Sequence, residues 1–542
     1  MLLLAILTGL LTGLAVVGFI LLIERLGARM YPVGGAAWRR LAVPVMGSLV
    51  SGWLLFRYFP EARGSGIPQT RTALELRGGR ISLPTVIARF FLSSTSLATG
   101  IALGREGPSV QIGGGIASVL GQKLGLGPAR LRQLIPVGAA AAIAAAFNTP
   151  IAAVLFTLEE VVGNLHAPVL GLVVIGSVTS WAVLQSFLGD EALFHVPVYE
   201  LVHPGELLIY AGLGVAGGFL STAFVKSVLH LRARFSRLPA ISKPFQPIVG
   251  GLVVGLLGLW IPQVLGVGYD YVDQVLNGDI ALKVVLLLIP LKVIATVVCY
   301  ASGNTGGIFG PSLFFGAMLG GAVGHFAHSA IPGATASAGA YALVGMGSTF
   351  AGIIRTPMTS VFMIFELTRD YSIIVPVMIC NLTSYIIAAR LQPKPIYVAL
   401  AEQDGIHLPH GAAHSARRRT VLQAMSGSPV TVAPDTSIGA LPPAPDGNLY
   451  LIVDEGKLVG VTTTDAAARA MEDGRRDLRV VELTNGDGFP HVHPDHGVEQ
   501  AMERMGESGL PALPVVDRAD VTKVRGLITV NDVLRSYRNR GR

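Results

Sequence analysis

The chain has 542 residues, of which 51% are hydrophobic and only 14% are charged. Soluble proteins carry roughly 25% charged residues, so this composition excludes an ordinary soluble protein for most of the chain. The formal net charge is +7. In a membrane protein such an excess is typical of basic residues on cytoplasmic loops, and it does not indicate a nucleic-acid partner.

Apolar stretches close to the ~20 residues that a spanning helix needs recur along the first three quarters of the chain. The first, Leu2–Ile23, is predicted to be a membrane helix rather than a signal peptide. It is too long for a signal's apolar core, lacks a basic start and runs into Glu24 and Arg25 without a cleavage site. Further examples are the stretches 81–103, 168–188 and 281–300.

The composition changes near residue 404, after which charges, prolines and short strand-like runs alternate. We therefore expect a membrane domain at 1–400, a linker at 401–419 and a soluble domain at 420–542. Three consecutive arginines at 417–419 precede the soluble domain and, by the positive-inside rule, place it in the cytoplasm. The chain is thus predicted to be a multi-pass protein of the plasma (inner) membrane.

One glycine-proline phrase, Gly-Arg-Glu-Gly-Pro at 104–108, lies between two apolar stretches. An ionisable group at membrane depth is costly and is therefore a candidate functional residue, which singles out Glu106. The flanking glycines allow backbone N–H groups to approach a ligand closely. A partner phrase, Gly-Ile-Phe-Gly-Pro at 307–311, repeats the pattern with apolar residues in place of the arginine and the acid. We expect the two phrases to form two walls of one site.

The membrane domain contains an internal repeat. The segment 138–159 aligns with 345–366 at an offset of 207 residues, and the two glycine-proline phrases align at an offset of 203. These matches predict two related halves, at about 1–190 and 204–395. Such repeats are often inverted, with the binding site at their interface, where broken helices aim their N-termini at an anion. The predicted fold class is a polytopic α-helical membrane protein of two inverted repeats with broken helices, followed by a soluble α/β domain.

Two further segments supply hydroxyl groups. Ser65 lies in a third phrase, Gly-Ser-Gly-Ile-Pro at 64–68, and Tyr397 follows the last long apolar stretch. Two hydroxyls, several backbone N–H groups and the phenyl ring of Phe309 suit a partly dehydrated halide, which accepts hydrogen bonds without needing a full countercharge. A full positive charge would hold the ion too tightly for it to leave.

These four elements occur in the order and approximate spacing of the CLC chloride channel and transporter family, which the chain resembles over about residues 1–400. The resemblance implies a homodimer in which each subunit has its own anion pathway, and it implies that Glu106 is the gating glutamate. The groups it assigns to the central chloride site are the hydroxyls of Ser65 and Tyr397 and the N–H groups of Ile308 and Phe309. The residues whose backbone would line an outer site are Arg105, Gly107 and Gly310.

Proton coupling decides between two functions within this family. An ionised Glu106 is a tethered anion that can occupy a position meant for chloride, and protonation lets it leave. Coupling also needs an internal acid, and Glu160 lies where the resemblance implies a glutamate in transporters and an apolar residue in channels. Its counterpart in the second half is Leu367, so the repeat does not require an acid there. The sequence favours a proton-coupled chloride antiporter, with a passive gated chloride channel as the alternative.

Structural roles remain open for each of these residues. Glu106 could pair with Arg105, and Glu160 could be an interfacial acid at a helix end. Tyr397 could be an interfacial anchor, and Ser65 could cap a helix. The resemblance also bears on selectivity, since family members that favour nitrate tend to carry proline where this chain has Ser65, which favours chloride.

Residues 420–542 contain a second internal repeat, in which 449–471 and 513–537 both predict strand, turn, strand and helix. This resembles a tandem pair of CBS motifs. In nucleotide-binding pairs the aspartate of Thr-x-x-Asp contacts ribose, which assigns that role to Asp465 and Asp532. The first copy reads as one residue shorter between its glycine and its threonine. No cofactor is required, and an adenine nucleotide is a candidate ligand, although a dimer-stabilising module without ligand is favoured.

Other function classes lack their motifs. A membrane hydrolase needs a nucleophile and a base, but the membrane phrases place no histidine near Ser65 and contain neither H-E-x-x-H nor G-x-S-x-G, so no enzyme is predicted. The histidines at 491, 493 and 496 lie among prolines with no cysteine nearby, and no metal site is predicted. Cys299 and Cys380 lie in apolar stretches and do not indicate a disulfide framework.

Overall fold

The computed structural model describes residues 1–165, 168–189, 194, 202–406, 420–425, 429–444, 449–484 and 489–538. The chain divides into two compact units, residues 1–411 and 412–542. The arginines at 417–419, on which the cytoplasmic placement of the second unit depends, lie outside the described residues.

The membrane unit is built from α-helices joined by short connections. The helices of the first half are α1 Leu2–Met30, α2 Arg39–Arg57, α3 Ile67–Leu76, α4 Leu83–Ala98, α5 Glu106–Lys123, α6 Pro128–Phe147, α7 Pro150–Phe156 and α8 Leu170–Leu188. Those that follow are α9 Glu206–Ser236, α10 Pro247–Trp260, α11 Tyr269–Asn277, α12 Leu282–Ala301, α13 Phe309–Ala330, α14 Ala338–Ile354, α15 Pro357–Thr368, α16 Ile374–Leu391 and α17 Ile396–Gln403. The end of α7 widens into a π-helical turn, Thr157–Val162.

Within the described residues, seven helical segments are long and apolar enough to cross a membrane. Others are short and lie inside the unit, such as α14, which is buried from Gly339 to Ile354. A short helix surrounded by other helices needs no lipid-facing surface, and its backbone groups are satisfied within the protein. Cys299 and Cys380 are buried free thiols.

Each half contains a tightly packed helix pair, α5 with α6 in the first half and α13 with α14 in the second. Glycines bring the backbones into contact in both pairs. A Cβ on Gly113 would lie 2.2 Å from the carbonyl oxygen of Gly138, and a Cβ on Gly316 would lie 2.2 Å from that of Gly345. Small residues allow this close packing at equivalent positions in both halves, as the internal repeat of the sequence predicts.

Backbone contacts between the halves are reciprocal. The N–H of Gly104 donates to the carbonyl of Gly307 at 2.7 Å, and the N–H of Gly307 donates to the carbonyl of Gly104 at 2.7 Å. A contact in which each partner plays both roles is what a two-fold axis produces. This reciprocity agrees with the predicted inverted repeats.

A second reciprocal contact uses one glutamate from each half. The carboxylate of Glu159 accepts hydrogen bonds from two N–H groups in the first turn of α15, at 2.8 and 3.2 Å. The carboxylate of Glu366 accepts from two N–H groups in the first turn of α7, at 2.6 and 2.8 Å. Each acid therefore satisfies N–H groups that the helix start leaves open. Of the two adjacent acids in the first half, Glu159 is used as a cap and Glu160 is not.

The second unit is a small α/β unit. Its described strands form a sheet of order β1-β2-β3 and a β4-β5 hairpin, with bounds β1 Val430–Val432, β2 Leu449–Asp454, β3 Lys457–Thr463, β4 Ala512–Val516 and β5 Val524–Thr529. Its helices are α18 Val421–Ala424, α19 Thr464–Glu472, α20 Val498–Ser508 and α21 Val530–Arg538.

The two hairpins of this unit share one register. Gly460 and Thr463 pair with the fourth and first residues of β2, and Gly526 and Thr529 pair with the fourth and first residues of β4. Glycine and threonine are therefore three residues apart in both copies, and the expectation that the first copy is one residue shorter is wrong. Two neighbouring threonines in the first copy made the shorter alignment look equally good.

Candidate functional site

The site forms where three helices begin, because each glycine-proline phrase ends in a helix start. The helices α3, α5 and α13 begin at Ile67, Glu106 and Phe309, each with a proline in its first turn. Proline fits there because its missing N–H would have had no partner within the helix. The remaining first-turn N–H groups are left to other acceptors.

Glycines hold the three phrases in backbone contact. A Cβ on Gly107 would lie 2.2 Å from the carbonyl oxygen of Ser65 and 3.2 Å from the Cα of Gly307. A Cβ on Gly66, whose φ is +103°, would lie 2.2 Å from the carbonyl oxygen of Gly107. Since no side chain fits at either position, glycine is required for the close approach.

The Glu106 side chain is completely buried and lies at the start of α13. One carboxylate oxygen accepts from the N–H of Gly310 at 3.1 Å, and the other accepts from the hydroxyl of Tyr269. A Cβ on Gly104 would lie 2.3 Å from a carboxylate oxygen, so a side chain at this position would displace the Glu106 carboxylate. A negatively charged group therefore occupies the place at which the positive end of a helix points.

Tyr269 is a site residue that the sequence pattern does not single out, because it belongs to no repeated phrase. It is the first residue of α11 and follows Gly268, whose φ is +89°. The ring of Phe194 packs edge-on against it at 5.6 Å, and the Arg105 guanidinium lies 5.4 Å from its centroid. A glycine turn followed by an aromatic residue at a helix start is the signal that could have identified it.

The contacts recorded for the Arg105 guanidinium in the described part of the chain are with groups other than Glu106. Its guanidinium lies 3.8 Å from the carboxylate of Glu24 and donates to the carbonyl of Ala146 at 3.4 Å. These contacts, and the hydrogen bonds that Glu106 accepts from Gly310 and Tyr269, favour a gating role over a direct ion pair between Arg105 and Glu106. The backbone of Arg105 remains at the start of α5, where it caps the helix.

The hydroxyls of Ser65 and Tyr397 are fully buried, and neither has a partner at hydrogen-bonding distance in the described part of the chain. The two hydroxyls lie near each other, and Tyr397 also lies near Glu160 and Glu106. Burial excludes an interfacial anchor for Tyr397. The N-cap of α3 is Gly66, so the Ser65 side chain does not occupy the cap position. Buried polar groups nearly always have a partner, so two open hydroxyls at one place point to a ligand or water between them.

Phe309 fixes the start of α13 through an aromatic cluster. Its ring lies 4.8, 5.4 and 4.4 Å from the rings of Phe147, Phe156 and Phe350. This packing holds the backbone N–H groups of Ile308 and Phe309 at the helix terminus. The structure brings these groups and the Glu106 carboxylate to one helix start, and their role as chloride ligands stays a prediction.

Glu160 lies on the π-helical turn at the end of α7, a feature frequent at functional sites. Its side chain is 6% exposed, and its carboxylate lies 3.3 Å from the guanidinium of Arg71, which is equally buried. A buried ion pair excludes the interfacial, solvent-facing acid considered above. Arg71 belongs to α3, and nothing in the sequence relates it to an acid 89 positions away.

A cavity of about 590 Å³ adjoins the Ser65 phrase, with Gly64 and Tyr300 in its wall. Two acids line it, Glu61 and Asp404, and each is ion-paired with an arginine. The cations that line it are Arg63, Arg77, Arg80, Arg232 and Lys243. Positive charge in a concave surface raises the local concentration of anions.

The two aspartates predicted for nucleotide binding are not equivalent in the structure. The carboxylate of Asp532 accepts from the N–H and hydroxyl of Thr529 at 3.0 and 2.9 Å, which caps α21. By the shared register, the counterpart of Asp532 is Ala466, and Asp465 lies one residue earlier with an exposed side chain. Any contact of either aspartate with ribose stays a prediction.

Comparison with known proteins agrees with this architecture. The family description "Voltage gated chloride channel" matches residues 46–389, and "CBS domain" matches residues 486–539. A relative from Ralstonia nicotianae, named as a ClcB-like chloride channel protein, is 34% identical over 382 residues, which are 69% of this chain and 88% of that protein. The H+/Cl− exchange transporter ClcA of Cronobacter sakazakii is 34% identical over 420 residues, 73% of this chain and 88% of that protein.

Among solved structures, that of a slow cyanobacterial Cl−/H+ antiporter has a TM-score of 0.70 at 27% sequence identity, covering 74% of this chain and 97% of that chain. The family match extends over more than half of this chain, and the relatives exceed 30% identity over most of their length. The chain therefore belongs to the voltage gated chloride channel (CLC) family and carries a CBS domain near its C-terminus.

Proposed function

We propose that the protein is a chloride/proton antiporter in which Glu106 is the gate and the external proton acceptor. The observation that carries the proposal is the place of its carboxylate, buried and held by the N–H of Gly310 at the start of α13. A seated carboxylate and a chloride ion compete for one position. Protonation removes the charge that holds the carboxylate, so anion occupancy and proton uptake become linked. Relatives named as H+/Cl− exchange transporters support exchange over the passive gated channel, which is the alternative.

The chloride pathway in this proposal uses hydrogen-bond donors rather than full charges. The open hydroxyls of Ser65 and Tyr397 and the N–H groups of Ile308 and Phe309 form the central site. The backbone of Arg105, Gly107 and Gly310 lines the outer site. Neutral donors bind a halide weakly enough for it to move on. The basic cavity beside the Ser65 phrase supports an approach of anions to the central site from the side of Ser65.

Glu160 is the proposed internal proton acceptor. It is an ionisable group inside the membrane unit, and such groups mark proton relays. Tyr397 lies near both Glu160 and Glu106, so a chloride bound at its hydroxyl would lie close to both acids.

The proposal also covers assembly and location, for which family membership is the support. We propose a homodimer with one pathway per subunit, in the plasma (inner) membrane, with the CBS unit in the cytoplasm. Exchange needs no cofactor and no enzymatic step. An adenine nucleotide is the candidate regulator of the CBS pair; its test is equilibrium binding of a fluorescent adenine nucleotide to the full protein, with loss of binding expected for Asp532→Ala. Binding that survives this substitution contradicts the ribose role of Asp532.

The function is tested in vesicles reconstituted with the purified protein. A chloride gradient should drive protons uphill, in the direction opposite to chloride. Glu106→Gln should abolish proton movement and leave chloride flux, because the amide carries no titratable charge. Chloride flux without proton movement in the unchanged protein favours the channel. Flux of neither ion overturns both functions.

The internal acid is tested separately by Glu160→Gln, which keeps an oxygen that can accept from the Arg71 guanidinium. Proton movement should be lost while chloride flux continues. The matched control is Glu159→Gln, since the adjacent acid caps a helix; coupling should survive there. Coupling that survives Glu160→Gln overturns its role.

A further inference from the structure

We propose that the Tyr269 hydroxyl is a ligand of the outer anion position, donating to the Glu106 carboxylate when it is seated and to the transported anion when it has left. The proposal rests on the exchange function proposed above. It adds a third hydroxyl, besides those of Ser65 and Tyr397, to the anion pathway.

The contact network fixes the tyrosine ring independently of its hydroxyl. Phe194 packs edge-on against the ring at 5.6 Å, and the Arg105 guanidinium lies 5.4 Å from its centroid. Neither contact uses the hydroxyl oxygen. The ring is therefore held in place by its faces and edges, and the O–H is free to act on whatever lies in front of it.

Two donors, the Tyr269 hydroxyl and the N–H of Gly310, converge on the Glu106 carboxylate. A Cβ on Gly310 would lie 2.8 Å from the Tyr269 oxygen and 3.2 Å from a Glu106 carboxylate oxygen, so all three groups meet at the start of α13. The N–H of Gly310 donates to one carboxylate oxygen at 3.1 Å, and Tyr269 donates to the other. A phenol and a backbone amide thus share one negatively charged acceptor.

The same two donors lose their acceptor when the carboxylate leaves. A buried donor without a partner is costly, so the vacated position favours another acceptor. A halide accepts both hydrogen bonds, and the neutral phenol does not hold it as tightly as a cation would. Tyr269 therefore serves the gate and the ion in turn.

Other charged and titratable groups surround this position, but the side-chain hydrogen bond to Glu106 comes from Tyr269. Those facing it are Arg105 with its partner Glu24, Lys292 on α12, and Tyr397 on α17. The ammonium of Lys292 is held by the carbonyls of Val264 and Gly266 at 2.9 and 2.6 Å. Within the described residues, Tyr269 provides the side-chain hydrogen bond to Glu106.

The first test measures chloride binding in a protein that lacks the gating glutamate. Chloride is titrated calorimetrically into the purified full-length protein carrying Glu106→Ala, with and without Tyr269→Phe. The phenylalanine keeps the ring contacts and removes only the O–H, so the Kd for chloride should rise roughly tenfold, the size of one hydrogen bond to a charged acceptor. The matched control is Tyr271→Phe, two residues along α11, which should leave the Kd unchanged.

The second test measures the pH profile of exchange in a protein that retains Glu106. The ionised carboxylate loses one of its two donors in Tyr269→Phe, so this variant should change the pH profile of exchange, whereas Tyr271→Phe should leave it as in the parent. This comparison decides the matter alone if the Glu106→Ala double variant does not fold.

A chloride Kd and a pH profile that both match those of the control overturn the role of Tyr269. Chloride binding that depends on Tyr269 in a protein that exchanges no protons overturns the antiport function and leaves the ligand role intact. If exchange is normal in both Tyr269→Phe and Tyr271→Phe, the antiport function stands and the role of Tyr269 as an anion ligand is rejected.

Discussion

At the scale of single residues, position decides what a glutamate does. Glu159 and Glu366 lie at the starts of α15 and α7 and accept backbone hydrogen bonds, so their charge supports the fold. Glu160, the next residue along the chain, is paired with Arg71 and does not cap a helix start. Glu106 accepts from one N–H and one hydroxyl, an arrangement that a small anion can replace.

Ser65 and Tyr397 permit a residue-scale prediction that separates stability from binding. Their hydroxyls have no described hydrogen-bond partner, so Ser65→Ala and Tyr397→Phe should leave the free energy of unfolding nearly unchanged. Chloride affinity should fall, because each substitution removes a donor to the ion. Thermal unfolding in detergent and chloride calorimetry measure the two effects.

The control for this prediction is Ser109→Ala. The Ser109 hydroxyl is buried and donates to the carbonyl of Arg105 at 2.9 Å, so its loss should destabilise the protein by about 1 kcal/mol. If Ser65→Ala behaves like this control and leaves chloride affinity unchanged, Ser65 has a structural role.

At the scale of elements, the site depends on helix starts that touch through glycine. A Cβ on Gly107 would meet the carbonyl oxygen of Ser65 at 2.2 Å, and backbone cannot move aside as a flexible side chain can. Gly107→Ala should therefore destabilise the membrane unit by on the order of 3 kcal/mol, the upper range for overpacking. The yield of monodisperse protein and its melting temperature measure this effect.

The matched control for the helix starts is Gly212→Ala in α9, where a Cβ would meet nothing within 4 Å. Alanine is the better helix former, so this variant should be as stable as the parent or more stable by up to about 1 kcal/mol. Equal melting temperatures for both variants would contradict the backbone contact.

At the scale of the whole molecule, the outer surface of the membrane unit is apolar. Large side chains such as Leu208, Phe219 and Trp260 are more than half exposed. Exposed apolar area of this kind belongs in lipid or against another protein surface. Composition does not distinguish these two environments, so assembly needs its own measurement.

The homodimer is predicted to have a protein mass twice the 56.8 kDa of the chain, measured by light scattering with the detergent subtracted. Because each subunit would carry its own pathway, a mixed dimer with one Glu106→Gln subunit should keep proton coupling in the other subunit. A mass of one chain, or a mixed dimer with no coupling at all, contradicts two independent pathways.

Features that repeat, or that lie close together in the chain, could be predicted from the order of the residues alone. The glycine-proline phrases around Glu106 and Phe309 predict helix starts because proline and glycine act locally on the backbone. The two offsets predict two halves because both copies are visible side by side. The same reasoning failed in the CBS repeat, where the neighbouring threonines Thr462 and Thr463 allow two alignments. Strand pairing identifies Thr463 as the counterpart of Thr529.

Contacts between groups far apart in the chain could be identified only from the folded arrangement of the helices. Tyr269 is 163 positions from Glu106, and Arg71 is 89 positions from Glu160, so no local pattern connects either pair. The division of labour between Glu159 and Glu160 also depends on the other half of the chain, because the N–H groups that Glu159 accepts from belong to α15. Local backbone preferences are written in neighbouring residues, whereas contacts across a fold depend on how whole helices pack.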